Sequence, residues 1–278
     1  MTYLLLAIAS SALISIIMRA SATRVNAKMS MLAANYLVCA LLGASYAGFD
    51  VVVPQASGFG VTLWLGVLSG VLYLLGFVAF QANTRSHGIV LTSVFSKLGL
   101  LVPMVLSLVL FREVPSIAQW AGFCIAVAAI VLINWQKGGA ARGFGISLLV
   151  MLLFNGGADA MSKVYEVYGS ASLSEQFLFY TFAVALVLCV ALVVCKGEKP
   201  GVRDILFGAA IGIPNFFSSK FLLLALTELP AVVVFPSFSI ATMLMVTIAG
   251  ILVFRERLRK TQWVALIMII AALFLLNM

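Results

Sequence analysis

Lys97 lies about nine residues into an unbroken apolar run, and Lys220 lies at comparable depth in another. At about 1.5 Å per residue, a helical run would place Lys97 roughly 14 Å from its start. A charge at the centre of a lipid-spanning helix costs on the order of 2.5–3.5 kcal/mol, so it faces a cavity or a partner group. Two ammonium groups lining a cavity would meet anionic or carboxylate-bearing ligands. The competing placement has both side chains snorkelling toward an interface or binding helix-end carbonyls.

A second pattern repeats at four-residue intervals. Ser11, Ser15 and Arg19 form one set, and Asn155, Asp159 and Lys163 form another, 144 residues later. Spacing by four puts each set on one helix face, as a polar pathway would need. Asp159 is the carboxylate expected deepest in an apolar run. Burial favours the neutral form of an acid, which makes Asp159 the candidate proton carrier if cargo movement is proton-coupled. The alternative is two helix ends reaching water, with Asp159 and Lys163 as an ordinary i,i+4 pair.

Asn35, Tyr36, Tyr73, Asn215 and Ser239 complete the candidate substrate-binding set, because amide, phenol and hydroxyl groups among apolar side chains suit an amphipathic ligand. The same groups also serve as helix–helix hydrogen bonds, a role open to Ser93, Ser96, Ser218, Ser219 and Ser237 as well. Gly66 and Gly70, four apart, predict a packing face. Pro214 and Pro236 each remove a backbone donor within an apolar run and are candidate hinges.

No catalytic residue, metal site or cofactor is expected. Cys39, Cys124, Cys189 and Cys195 fall inside apolar runs without metal-ligand spacing and read as packing residues. Paired intramembrane aspartates, a Ser/His arrangement and a phosphate-binding glycine loop are all missing from the sequence. His87, the single histidine, is expected in a loop. An enzyme is therefore not the reading.

The elements that must position these groups follow from composition. Of 278 residues, 64% are hydrophobic and 9% charged, whereas soluble domains run to about half apolar and a quarter charged. Ten apolar stretches are long enough to span a bilayer: about 3–18, 29–48, 60–82, 88–110, 116–135, 144–162, 173–195, 204–226, 231–253 and 261–277. The fold class expected is an all-α integral membrane protein. The first stretch lacks a basic leader and repeats the polar face of the sixth, so it is expected to be a span.

The chain is also duplicated. Phe111-Arg112-Glu113 and Gln119-Trp120 recur 143 residues later as Phe254-Arg255-Glu256 and Gln262-Trp263, and Ala128, Ala129, Leu132 and Asn134 recur as Ala271, Ala272, Leu275 and Asn277. Five helices per copy is an odd number, so the second copy must be inverted relative to the first. The expected domains are a first five-helix repeat, 1–137, and an inverted second repeat, 138–278, within one membrane domain. Recurrence of the Arg-Glu pair in both copies favours a structural latch at a helix turn over substrate contact.

The net charge of +8 is scattered over short loops, which argues for membrane orientation and against nucleic acid. Loops following odd-numbered helices carry thirteen Lys and Arg residues against two in the even-numbered ones. Basic loops are cytoplasmic, so both termini are expected on one side, outside the cytoplasm.

The second copy reads Ala225-Leu226-Thr227-Glu228-Leu229-Pro230-Ala231, then a span with Pro236 and Ser239, then Phe254-Arg255-Glu256-Arg257-Leu258 and Gln262-Trp263. This order resembles the EamA-type repeat of the drug/metabolite transporter superfamily, and the first half repeats it more loosely from Ala82 to Asn134. Arg stands where the family often has Gly before the acid, and a basic C-terminal tail is missing. The resemblance implies a ten-helix carrier for small organic metabolites or drugs, often an exporter, working by alternating access. An amino-acid-like compound, an organic anion and an amphiphilic compound all fit as substrate. A channel or facilitator without alternating access, or a non-transporting scaffold, are the other function classes. The partners expected are a small-molecule substrate and the lipid bilayer, with the chain acting as a monomer or homodimer in a cell membrane, as in a bacterial inner membrane.

Overall fold

The computed structural model describes residues 1–21, 24–48, 57–87, 92, 95–110, 112–134, 145–253 and 260–278. Ten α-helices run through them: α1 (Thr2–Ser21), α2 (Lys28–Ala47), α3 (Phe59–His87), α4 (Leu101–Val109), α5 (Ile117–Asn134), α6 (Ile146–Tyr168), α7 (Ser174–Lys196), α8 (Val202–Glu228), α9 (Ala231–Leu252) and α10 (Lys260–Leu276). Short 3-10 turns at Leu98–Leu100 and Ala171–Leu173 lead into α4 and α7. No strand occurs among the described residues. Lipid offers no hydrogen-bond partner to a backbone, so apolar runs of this length close their own bonds as helices.

Helices α1, α2, α3, α8, α9 and the run Ala171–Lys196 are long and apolar enough to cross a membrane, and Phe95–Val109, Ile117–Leu132 and Trp263–Leu276 are shorter apolar helices. The ten expected spans thus correspond to ten helices. His87 departs from expectation: it is the last residue of α3, not a loop residue. Apolar residues lie on all sides of these helices. In α10 the buried positions include Ala265, Ile269 and Ala272, while Trp263, Ile267, Ile270 and Phe274 are exposed. Large apolar groups turned outward from a small-residue core suit a lipid surround.

The described chain divides into two compact units: Met1–Leu74 with Met161–Thr227, and Leu75–Ala160 with Glu228–Met278. Each draws on both halves of the sequence, so these units are not the two sequence repeats. Helices α3 and α6 contribute a segment to each.

In the first unit α2 packs along α7, and glycines set how closely neighbouring helices approach. A β-carbon on Gly66 of α3 would fall 2.8 Å from Tyr180 Cβ of α7, and one on Gly70 would fall 2.9 Å from Val184 Cβ. On α8, a β-carbon at Gly208 would strike the Met31 carbonyl of α2, and one at Gly212 would lie 2.6 Å from Val38 Cβ. Gly66 and Gly70 precede Gly208 and Gly212 by 142 residues. The packing face expected at the first pair therefore has a mate in the second, and the contacts exchange partners: α3 on α7, α8 on α2. In the second unit α5 packs along α10. Leu100, Met104, Phe123, Ile130, Ile240 and Ile269 are buried together there.

Two acids close helix ends. Gly197 adopts φ +62° after α7, where Gly197 N–H donates to Val194 O and Glu198 N–H to Val193 O. Glycine reaches this left-handed conformation without steric cost, and the paired bonds finish the helix. The turn delivers Glu198 to the start of α2, where its Oε2 accepts from Met29 N–H at 3.1 Å and Ser30 N–H at 3.2 Å. Glu113 likewise accepts from Val232 N–H in the first turn of α9 at 3.2 Å. Orphan donors at a helix start favour such a carboxylate. The latch expected of the Arg-Glu motif is thus seen in its first copy, next to Arg112 at φ +53°. The second copy, Phe254-Arg255-Glu256, lies outside the described residues.

Gly208→Val should lower stability by about 1–3 kcal/mol, the usual cost of forcing volume into a packed contact, seen as a reduced melting temperature of the detergent-purified protein. Gly60→Ala, where a β-carbon meets nothing within 4 Å, should leave it unchanged or slightly higher.

Candidate functional site

Two polar clusters form inside the apolar helices, one in each unit. In the second unit, the 3-10 turn Leu98–Leu100 and α6 meet backbone to backbone. A β-carbon on Gly99 would lie 3.1 Å from Gly156 N, and one on Gly156 would strike the Gly99 carbonyl. This approach brings the residues just before the turn against α6. The Asn155 amide donates to Ser96 Oγ at 3.1 Å. Lys97 and Asp159, one helical turn beyond Asn155, sense each other's charge. Asn155 Oδ1 lies over Gly76 of α3, where any β-carbon would overlap it. Lys97 is exposed as a residue, while Asp159 is partly buried.

Of the expected residues, Asn155 and Asp159 share one face of α6, and the Asn155–Ser96 bond holds the neighbour of Lys97 against it. Lys163, the third member of their stripe, is drawn elsewhere. Its Nζ pairs with Glu166 Oε2 at 2.7 Å in the first unit, three residues along the same helix. Of the matching first-helix stripe, the Ser15 hydroxyl donates back to the Ser11 carbonyl at 3.1 Å.

In the first unit the Asn215 amide donates to Asn35 Oδ1 at 3.1 Å, tying α8 to α2. The Cys39 thiol beside it donates to the Gly212 carbonyl at 3.2 Å. Tyr36 and Tyr73 both pack against Phe182, with ring centres 6.3 and 6.0 Å away. Phe182 in turn meets Phe216 at 6.3 Å. Asn35, Tyr36, Phe182 and Phe216 are all buried, so this group serves helix association. Ser239 sits partly buried on α9; among the described residues it joins neither cluster through a hydrogen bond. Ser93 lies outside the described residues.

Lys220 is engaged by the chain itself. Its Nζ lies 2.8 Å from Glu175 Oε1 and 3.5 Å from the centre of the Tyr46 ring. Sequence reasoning passed over both partners. Glu175 opens α7 and looks like a wetted helix end, while Tyr46 looks like an interfacial aromatic. The signal available was that one apolar run begins with an acid while another carries a lone base within it.

Ten apolar helices, packed through glycines and holding charged groups along their length, define a multi-pass membrane protein. Residues 144–278 match the model of the EamA-like transporter family. The match falls on the part of the chain whose motif order resembles the EamA-type repeat. EamA-like proteins are membrane transporters rather than enzymes. An uncharacterized protein of Haemophilus influenzae is 25% identical over 230 residues, covering 81% of this chain and 77% of its own length. A solved crystal structure superposes with a TM-score of 0.76 at 14% identity, over 99% of this chain and 94% of the other. That likeness speaks to the fold alone.

Removing the Asn35 side chain strands the Asn215 amide in an apolar surround, which costs about 1–3 kcal/mol. Asn35→Ala should therefore destabilise, and Asn35→Ala/Asn215→Ala should cost less than the two single changes added. A double-mutant cycle on thermal unfolding of the purified protein reads this coupling.

Proposed function

We propose that this protein is a secondary carrier that exports a small organic metabolite across the cell membrane by alternating access. The cargo classes that fit are amino-acid-like compounds, organic anions and amphiphilic molecules. The two sequence repeats, 1–137 and 138–278, act as inverted five-helix halves. Support for the duplication comes from the exchange of glycine contacts, α3 on α7 and α8 on α2, which is what reciprocal halves require.

The observation that carries the functional reading is the grouping of Lys97, Asn155 and Asp159. An ammonium under the electrostatic influence of a partly buried carboxylate can offer its charge to an anionic group only to the extent that the carboxylate does not neutralise it. Proton occupancy of Asp159 then sets how strongly Lys97 attracts cargo. Asn155, fixed by Ser96 and seated over Gly76, holds the geometry of α6 at this point. Asn35, Tyr36, Tyr73 and Asn215 form a second polar and aromatic group within the other unit, and Ser239 lies partly buried on α9.

Lys97→Met should reduce uptake into inverted vesicles at least tenfold with unchanged protein in the membrane; transport at the original rate removes Lys97 from the mechanism. With a pH gradient as the sole driving force, Asp159→Asn should abolish accumulation while counterflow persists. Equal accumulation by the variant would refute the proton role, and failure of the unaltered protein to show trans-stimulation would favour a channel.

Ten helices and the basic odd-numbered loops support an orientation with both termini outside the cytoplasm. A C-terminal reporter that is active only in the cytoplasm should stay silent, and strong signal would reverse the orientation.

A further inference from the structure

The surroundings of Lys220 have the chemistry of a receptor for an ammonium ion. The charge stands 2.8 Å from Glu175 Oε1 and 3.5 Å above the Tyr46 ring. Tyr46 stacks on Phe216 at 5.6 Å and meets Phe217 edge-on at 6.2 Å. A carboxylate supplies opposite charge, and an aromatic face supplies the ring quadrupole that attracts alkylated ammonium groups. Glu175 lies in the first turn of α7, where the amide end of a helix favours negative charge.

Three observations separate this arrangement from a closed structural pair. Glu175 Oε2 is buried with no hydrogen-bond partner, so the carboxylate keeps an acceptor for a further N–H group. Tyr46 is 49% exposed, so the ring can be reached from outside. None of the three residues recurs in the other half, at an offset of either 142 or 143. Lys220 corresponds to Val78 or Phe77, Glu175 to Ala33 or Leu32, and Tyr46 to Leu188 or Cys189. The glycines that hold this unit together do recur. Groups required only by the fold would be expected in both copies, and these are not.

We propose that Glu175 and Tyr46, the ring backed by Phe216 and Phe217, form a binding site for an alkylammonium group, and that the Lys220 ammonium is its tethered occupant in the unloaded protein. An incoming ammonium takes the place of Lys220 at Glu175 Oε1 and on the Tyr46 ring, and a primary amine directs another N–H to the open Oε2. Lys220 lies about two turns before the end of α8 at Glu228, and its flexible stem lets the displaced charge move toward that end. The chain thus carries its own competitor, which sets a threshold for cargo binding. This inference concerns binding at one site in one unit. It does not rest on the carrier mechanism, and its test reads binding alone.

Calorimetric titration of the full-length protein in nanodiscs with n-butylammonium provides the test. Lys220→Met should bind this probe at least tenfold more tightly than the unaltered protein. Adding Glu175→Gln or Tyr46→Leu to Lys220→Met should return affinity to the original level or below. Equal affinity in Lys220→Met and the unaltered protein overturns the proposal, as does tightening that survives Glu175→Gln. A measurement on the unaltered protein guards against misfolding of the variants. Saturating tetramethylammonium, which cannot itself be methylated reductively, should raise reductive methylation of Lys220 at least threefold by mass spectrometry. An unchanged rate overturns the idea that the ammonium and Lys220 share one site.

Discussion

Lipid contributes no hydrophobic drive to bring one apolar helix against another, so contact must come from backbones that approach closely enough to pack. Gly66 and Gly70 let α3 settle on α7, and Gly208 and Gly212 let α8 settle on α2. Gly99 and Gly156 do the same where the turn before α4 meets α6. The polar clusters depend on these approaches. Asn35 reaches Asn215 because α8 rides close over α2, and Asn155 reaches Ser96 because two glycine backbones touch nearby. A larger residue at any of these points would separate the helices that hold the chemistry.

Within that frame the charges are disposed unequally. Glu113 and Glu198 spend their oxygens on N–H groups at the starts of α9 and α2, which is structural work near helix ends. Lys97 and Asp159 influence each other without a helix end to cap. Lys220 combines a carboxylate with an aromatic face. The division follows repetition in the sequence. The packing glycines recur, whereas Lys97 and Lys220 do not.

Much of the architecture could be read directly from residue order. Apolar runs marked all ten helices, because a helix is the one local solution for a backbone in lipid. Ends were less legible. Helix α3 continues to His87 because the polar side chains of Asn83 and Thr84 find partners, on the Ala79 and Phe80 carbonyls and, for Asn83, also on Ser147 of α6, so polarity there does not stop it. The pairing of Asn155 and Asp159 on one face was visible from their spacing. Their meeting with Lys97 was not, because the two segments are far apart in sequence. A spacing of four offered Asp159 as a partner for Lys163, whereas the fold pairs Lys163 with Glu166 at a spacing of three.

The sequence by itself determined the class of molecule, the number of helices, the duplication and the positions where charge falls within apolar runs. These are properties of hydropathy and repetition, which are local or self-referential. Only the tertiary structure decided which charges neutralise one another. Lys97 and Lys220 look alike in the sequence, each a lone base in an apolar run. In the fold Lys220 lies against Glu175 and Tyr46, brought in by α7 and α2, whereas Lys97 stands exposed near Asp159. Electrostatic partnership in a low-dielectric medium is set by distances of a few ångströms between separate helices, and hydropathy carries no record of those distances.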